Sequence, residues 1–120
     1  MTDQRKLLYW EGSSKKDFKD FPISVQKDMG VALFVVQLGG MPSSAKPWKG
    51  LGPGVYELVE DHRGDAFRAV YSVRIGDAVH VLHAFQKKSK SGIATPQPDV
   101  DLIEKRLKSV LARYGAGGRT

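Results

Sequence analysis

Hydrophobic positions along this chain change their spacing from element to element. Lys6-Leu7-Leu8-Tyr9-Trp10 has the apolar and aromatic density of a short strand, and Gly12-Ser13-Ser14 ends it. Ser13 or Ser14 suits the N-cap of a short helix running through Lys19. Asp20 followed by Pro22 reads as an N-cap with proline in the first turn. Val25, Met29, Ala32, Leu33 and Val36 then recur at helical spacing up to Gly39-Gly40, which predicts a second, longer helix. Gly30 in its middle costs about 1 kcal/mol relative to alanine, which tertiary packing must offset. The stretch 41–54, MPSSAKPWKGLGPG, has no period; with Trp48 between two lysines it is a candidate functional loop rather than a spacer.

Three runs rich in β-branched and aromatic residues follow, Val55 to Glu60, Phe67 to Ile75 and Val79 to Gln86, and predict three strands. Asp61 to Asp65 and Gly76-Asp77 are the turns between them, the second suiting a two-residue hairpin with glycine first. In the middle run Phe67, Ala69, Tyr71, Val73 and Ile75 share the apolar face, which turns Arg68, Val70, Ser72 and Arg74 to the other. Both parities of the last run are apolar, so its faces are not separable by pattern. Val100, Ile103, Leu107, Val110, Leu111 and Tyr114 form the stripe of a final amphipathic helix, with acids early, bases late and Gly115 as its stop. The sum is one α+β domain over residues 1–120 with the order β-α-α-β-β-β-α, an antiparallel sheet with helices packed on one face, and a loose tail from about 115.

Composition narrows the chemistry. With 41% hydrophobic and 27% charged residues the chain is an ordinary globular protein. The lack of cysteine removes thiolate catalysis, disulfides, iron-sulfur clusters and the usual structural zinc sites. The N-terminal apolar run is too short for a signal peptide and no long apolar stretch exists, so a cytoplasmic protein without a membrane partner is expected. No G-x-S-x-G elbow, P-loop or G-x-G-x-x-G is present. His80 and His83, three apart on a strand, are expected on opposite faces, and His62 lies in a turn; neither a metal nor a cofactor is anticipated.

A net charge of +6 makes a polyanion the first partner to consider, against the plainer reading of a solubilising basic surface. The surplus is concentrated where the last strand ends, because residues 86–98 hold three lysines and no acid. Lys87, Lys88 and Lys90 there form either a phosphate-binding rim or a solvated patch. Arg68, pointing away from the apolar face, is either a cross-strand partner of Glu57 or Glu60 or a phosphate ligand.

Lys46-Pro47-Trp48-Lys49-Gly50-Leu51, Val55-Tyr56-Glu57-Leu58, Arg63-Gly64, Phe67-Arg68-Ala69-Val70-Tyr71 and LHAFQKKSKSGIATP together resemble the RelE/HigB superfamily of toxins, in particular its phage-derived, HigB-like branch. The resemblance runs from about residue 5 to residue 114, and its most specific piece is F-x-K-K followed by T-P. It implies a RelE-like fold and the toxin half of a type II toxin-antitoxin module: a ribosome-dependent mRNA endonuclease, or mRNA interferase, that enters the A site. The implied partners are the ribosome, mRNA and a cognate helix-turn-helix, HigA-like antitoxin. Cleavage without metal proceeds by attack of the ribose 2′-hydroxyl on the adjoining phosphorus and needs a base, an acid and fixed cations. Arg68, the arginine of the family's R-x-x-Y segment, is assigned to transition-state stabilisation. His83, Lys87 and Lys88 are the catalytic candidates for proton transfer and phosphate contact, with His83 preferred if it faces the groove. Lys46, Trp48, Lys49, Arg63, Arg74 and Lys90 are the RNA-binding candidates, Trp48 either stacking on a base or covering the core. The alternative on the same scaffold is a non-catalytic, ParE-like toxin such as a gyrase inhibitor.

Overall fold

The computed structural model describes residues 5–87 and 95–117. Their elements run β1 (Leu7–Trp10), α1 (Ser14–Lys19), α2 (Ile23–Gln37), β2 (Ala45–Pro47), β3 (Val55–His62), β4 (Asp65–Ser72), β5 (Ala78–Lys87) and α3 (Gln97–Gly117). The architecture is α+β: one five-stranded sheet in the order β1-β5-β4-β3-β2, and three helices. Among the described residues no helix is long and apolar enough to cross a membrane.

The three long strands form the expected antiparallel meander, extended by the short strand β2 inside the loop that showed no period. The sheet is nevertheless mixed rather than antiparallel, since β1 pairs in parallel with β5, Leu7 opposite Ala78 through Trp10 opposite Val81. The hairpins are local and visible in sequence; the partner of an isolated first strand is a long-range choice that turn chemistry does not encode. The two-residue hairpin is Arg63-Gly64, both residues with positive φ (52° and 86°), as a type I′ turn requires. Gly76-Asp77 instead belongs to a longer connection between β4 and β5.

Helices cover both faces of the sheet, not one. On the first face Phe18, Phe21, Val25, Met29, Leu33 and Val36 of the α1–α2 segment pack on Leu58, Phe67, Ala69, Tyr71, Val79 and Val81. On the second, Ile103, Leu107 and Val110 of α3 pack on Val55, Val70, Leu82 and Phe85. This explains why β5 is apolar at both parities: Ala78 through Phe85 are all buried, as in a strand covered above and below.

Helix ends also differ in detail from expectation. Pro22, not Asp20, occupies the N-cap of α2, and α3 runs on through Gly117, past the glycine read as its stop. The rest of the tail lies outside the described residues. Gly30 is exposed, and among the described residues outside its own helix backbone nothing lies within 4 Å of where a Cβ would stand; its cost is offset by the buried stripe on the other side of α2, Val25, Met29, Ala32, Leu33 and Val36.

Candidate functional site

The face that α3 covers only in part carries the polar chemistry. In β3 and β4 the residues on this side are Val55, Glu57 and Val59, and Ala66, Arg68 and Val70; Lys46 of β2 stands opposite Glu57. Arg68 Nη1 donates to Glu57 Oε1 at 2.6 Å, with both side chains mostly buried. Of the two partners that alternation allowed Arg68, Glu57 is the one it finds. The guanidinium is not exhausted by that contact, because its buried Nε has no partner among the described residues.

Beside this pair lies an open hollow of about 760 Å³, lined by Lys46, Pro47, Trp48, Lys49, Glu57, Thr95, Gln97 and Val100. The β2–β3 hairpin forms one wall and the start of α3 the other. Trp48 covers the core, packing against its α3 side, and also lines the hollow, its backbone N–H anchored to the Val55 carbonyl. The hollow therefore combines one aromatic plane, two lysines and one carboxylate, a set suited to a base and its phosphate.

A β-bulge in β5 changes where the histidines go. Val70 pairs with His83 and Tyr71 with Val81, which leaves Leu82 as the extra residue and reverses the alternation after it. His80 and His83 consequently both face α3, contrary to the opposite faces that a regular period of two requires. They bind different groups. His80 is held between Glu11 (Nδ1 to Oε2, 2.8 Å) and the Tyr114 hydroxyl (Nε2, 3.2 Å), and Tyr9 stacks on its ring. His83 donates from Nε2 to Asp99 Oδ1 at 2.7 Å and stacks on Phe85, the residue opposite Arg68, while its buried Nδ1 has no partner among the described residues. With only 6% of its surface exposed, His83 stands behind the α3 wall and is not among the residues lining the hollow.

The remaining sequence candidates are dispersed along the same sheet. Lys87, half-buried, ends β5 opposite Ala66 and so falls on the Arg68 face. Arg63 is exposed at the hairpin tip near that end. Arg74 lies two residues beyond the end of β4, six residues or about 20 Å from Arg68 at the rise of an extended strand, where the regular alternation has ended. It packs instead over the 50–54 turn, where Gly54 has φ +87° and a Cβ would meet the Arg74 Cβ at 2.8 Å. Lys88 and Lys90 lie outside the described residues.

Two site residues carried no clear signal in sequence. Glu57 was visible only as a candidate partner of Arg68, although its parity with Val55 could have placed it on this face. Asp99 had the look of a helix-dipole acid, and only the bulge at Leu82 brings His83 within its reach.

Burial alone would raise the Glu11 carboxyl, but the hydrogen bonds from His80 and Arg113 and the charges of both outweigh it and hold Glu11 below the usual carboxylate range. On the α1–α2 face, burial and the neighbouring Tyr56 push the Tyr71 hydroxyl up to about 12, which makes it no proton carrier near neutrality. Among the described residues no group of three or more metal-ligating side chains is gathered.

Searches of curated proteins and of solved structures found no match. Residues 16–108 match a family model described as phage derived protein Gp49-like (DUF891).

Proposed function

The chain belongs to the phage-derived Gp49-like family, known as RelE-like toxins, and from this premise we propose that it is an mRNA endonuclease acting on the ribosome. The observation that carries the reading is the Glu57–Arg68 pair at the edge of a hollow lined by Lys46, Trp48 and Lys49. A nucleobase stacks on Trp48 while its phosphate is held by Arg68 and the two lysines. The Glu57 carboxylate takes the proton of the 2′-hydroxyl as that oxygen attacks phosphorus. The P–O5′ bond breaks, leaving a 2′,3′-cyclic phosphate, and the departing 5′-oxygen receives a proton from Lys46, which faces Glu57 across the β2–β3 ladder. Arg68 stabilises the charge gathered on the phosphorane.

In this reading Lys87, with Lys88 and Lys90 following it, grips phosphates further along the strand. Arg63 and Arg74, at opposite ends of the sheet, contact ribosomal RNA rather than the scissile link. His83 serves as a support: buried and tied to Asp99, it steadies the α3 wall, in place of the acid or base role that an open position would have allowed. The partner this activity requires is a helix-turn-helix antitoxin.

Mapping transcript 5′ ends after induced expression tests the proposal. Cuts inside translated codons, absent in Arg68→Ala and Glu57→Gln, are expected. Intact transcripts accompanied by DNA-damage signals would overturn it in favour of a topoisomerase-directed toxin.

A further inference from the structure

Leu82, the extra residue of the β5 bulge, is fully buried, and its backbone carbonyl lies where both neighbouring strands give out. On one side β4 pairs Tyr71 with Val81 and Val70 with His83, passing over it. On the other, β1 ends one residue earlier with Trp10 opposite Val81, and the next N–H, that of Glu11, is spent on the Val81 carbonyl. A buried carbonyl left without a partner is costly enough to disfavour such a bulge.

Arg106 removes that cost. From the middle of α3 its Nη1 donates to the Leu82 carbonyl at 2.9 Å, and its Nη2 donates to Ser13 Oγ at 3.1 Å. The guanidinium lies against the turn after β1, where Gly12 has φ +54° and a Cβ would stand 2.6 Å from the Arg106 Nε. A side chain at that position would collide with the planar group. The turn, the bulge and α3 are thus shaped around one arginine. Among the described residues Arg106 forms no ion pair with a carboxylate, so it acts here through its fixed fork of donors.

What the fork holds bears on the hollow. Leu82 and His83 both face α3 because of the bulge, whereas a regular β5 would send one of them to the other side of the sheet. From this side His83 Nε2 reaches Asp99 in the first turn of α3, and Gln97 and Val100 of the same turn wall the hollow.

We propose that Arg106 is a positioning residue of the hollow: it holds the Leu82 bulge, and the bulge, through the His83–Asp99 bond, sets where the first turn of α3 stands against Trp48. The consequence for cleavage rests on the nuclease reading, while the placement of His83 does not.

The test records proton–nitrogen correlation spectra of the imidazole and indole groups in the full chain, assigned with His83→Gln and Trp48→Phe. Arg106→Met keeps an apolar stem and removes the fork. In that variant the protected Nε2 proton of His83 should disappear and the Trp48 indole signal should shift, while the His80 proton held by Glu11 persists and reports that α3 is still docked. Arg106→Lys returns one donor to the Leu82 carbonyl and should restore the His83 signal. On programmed ribosomes Arg106→Met should cut about tenfold more slowly than the parent, and Arg106→Lys should recover most of that loss. An unchanged His83 signal in Arg106→Met overturns the proposal, as does its loss with cleavage still at the parent's rate. Loss of the His80 signal together with that of His83 overturns it too, since Arg106 would then hold the whole fold and not one bond. A parent that cleaves nothing overturns the nuclease reading alone, and the two histidine signals still decide the role of Arg106.

Discussion

The two ends of the seam between β5 and α3 use the same parts and finish them differently. Each places a histidine of β5 against an acid, but at the His80 end every polar group is saturated: Glu11 receives His80 and Arg113, and the second imidazole nitrogen meets Tyr114. At the His83 end Asp99 satisfies one ring nitrogen, and among the described residues the other has no partner and the neighbouring Arg68 keeps a buried Nε unpaired. Buried polar groups are nearly always satisfied, so a local shortfall marks where a molecule has given up stability for something else. The saturated end is a clamp that fixes α3 to β1. The unsaturated end adjoins the hollow.

The sharpest way to test that contrast is to remove one group from each end. Arg68→Ala should lower the rate of RNA cleavage on programmed ribosomes by about 10²–10³, as for other preorganised donors. Its melting temperature should fall less than that of Glu11→Ala. The second substitution leaves Arg113 and a buried His80 without their acceptor and should cost about 2–3 kcal/mol in denaturant unfolding, with cleavage per folded molecule unchanged. If Glu11→Ala abolished cleavage while Arg68→Ala spared it, the assignment of the two ends would be inverted.

A smaller effect is expected in acid. Glu11 titrates below the usual carboxylate range when folded, so its contribution is complete above the ordinary glutamate pKa and is lost as pH falls through the lowered value. Thermal melts of the parent should therefore lose stability more steeply in acid than those of Glu11→Gln; parallel curves would remove Glu11 as the clamp. Smallest of all, Asp99→Ala breaks a single hydrogen bond to a partly exposed carboxylate and should cost about 1 kcal/mol. A loss as large as that of Glu11→Ala would show that both ends are clamps.

Much of this organisation is readable in the chain before any folding. Alternation in Phe67 to Tyr71 correctly turned Arg68 away from the first core, and helical spacing identified both long helices. The apolar run of β5 carried its meaning in a form that alternation cannot resolve, since a strand covered on both faces has no polar side. That double coverage requires α3 to lie across the sheet from α1 and α2. The candidate site was legible as types of residue, namely lysines around a tryptophan and an outward arginine, but not as a place.

Sequence alone determined every element but the short β2, the basic surplus and the side of β4 on which Arg68 stands, because periodicity and turn chemistry act over a few residues. Tertiary structure decided the rest. The unpaired Leu82 moved His83 to the face of His80, β1 joined β5 in parallel, and Glu57 rather than Glu60 took Arg68. β1 and β5 lie far apart in the chain, while the bulge and the Glu57–Arg68 pair depend on how β3, β4 and β5 register against one another, so each is chosen by the packing of the sheet rather than by the pattern of a single segment.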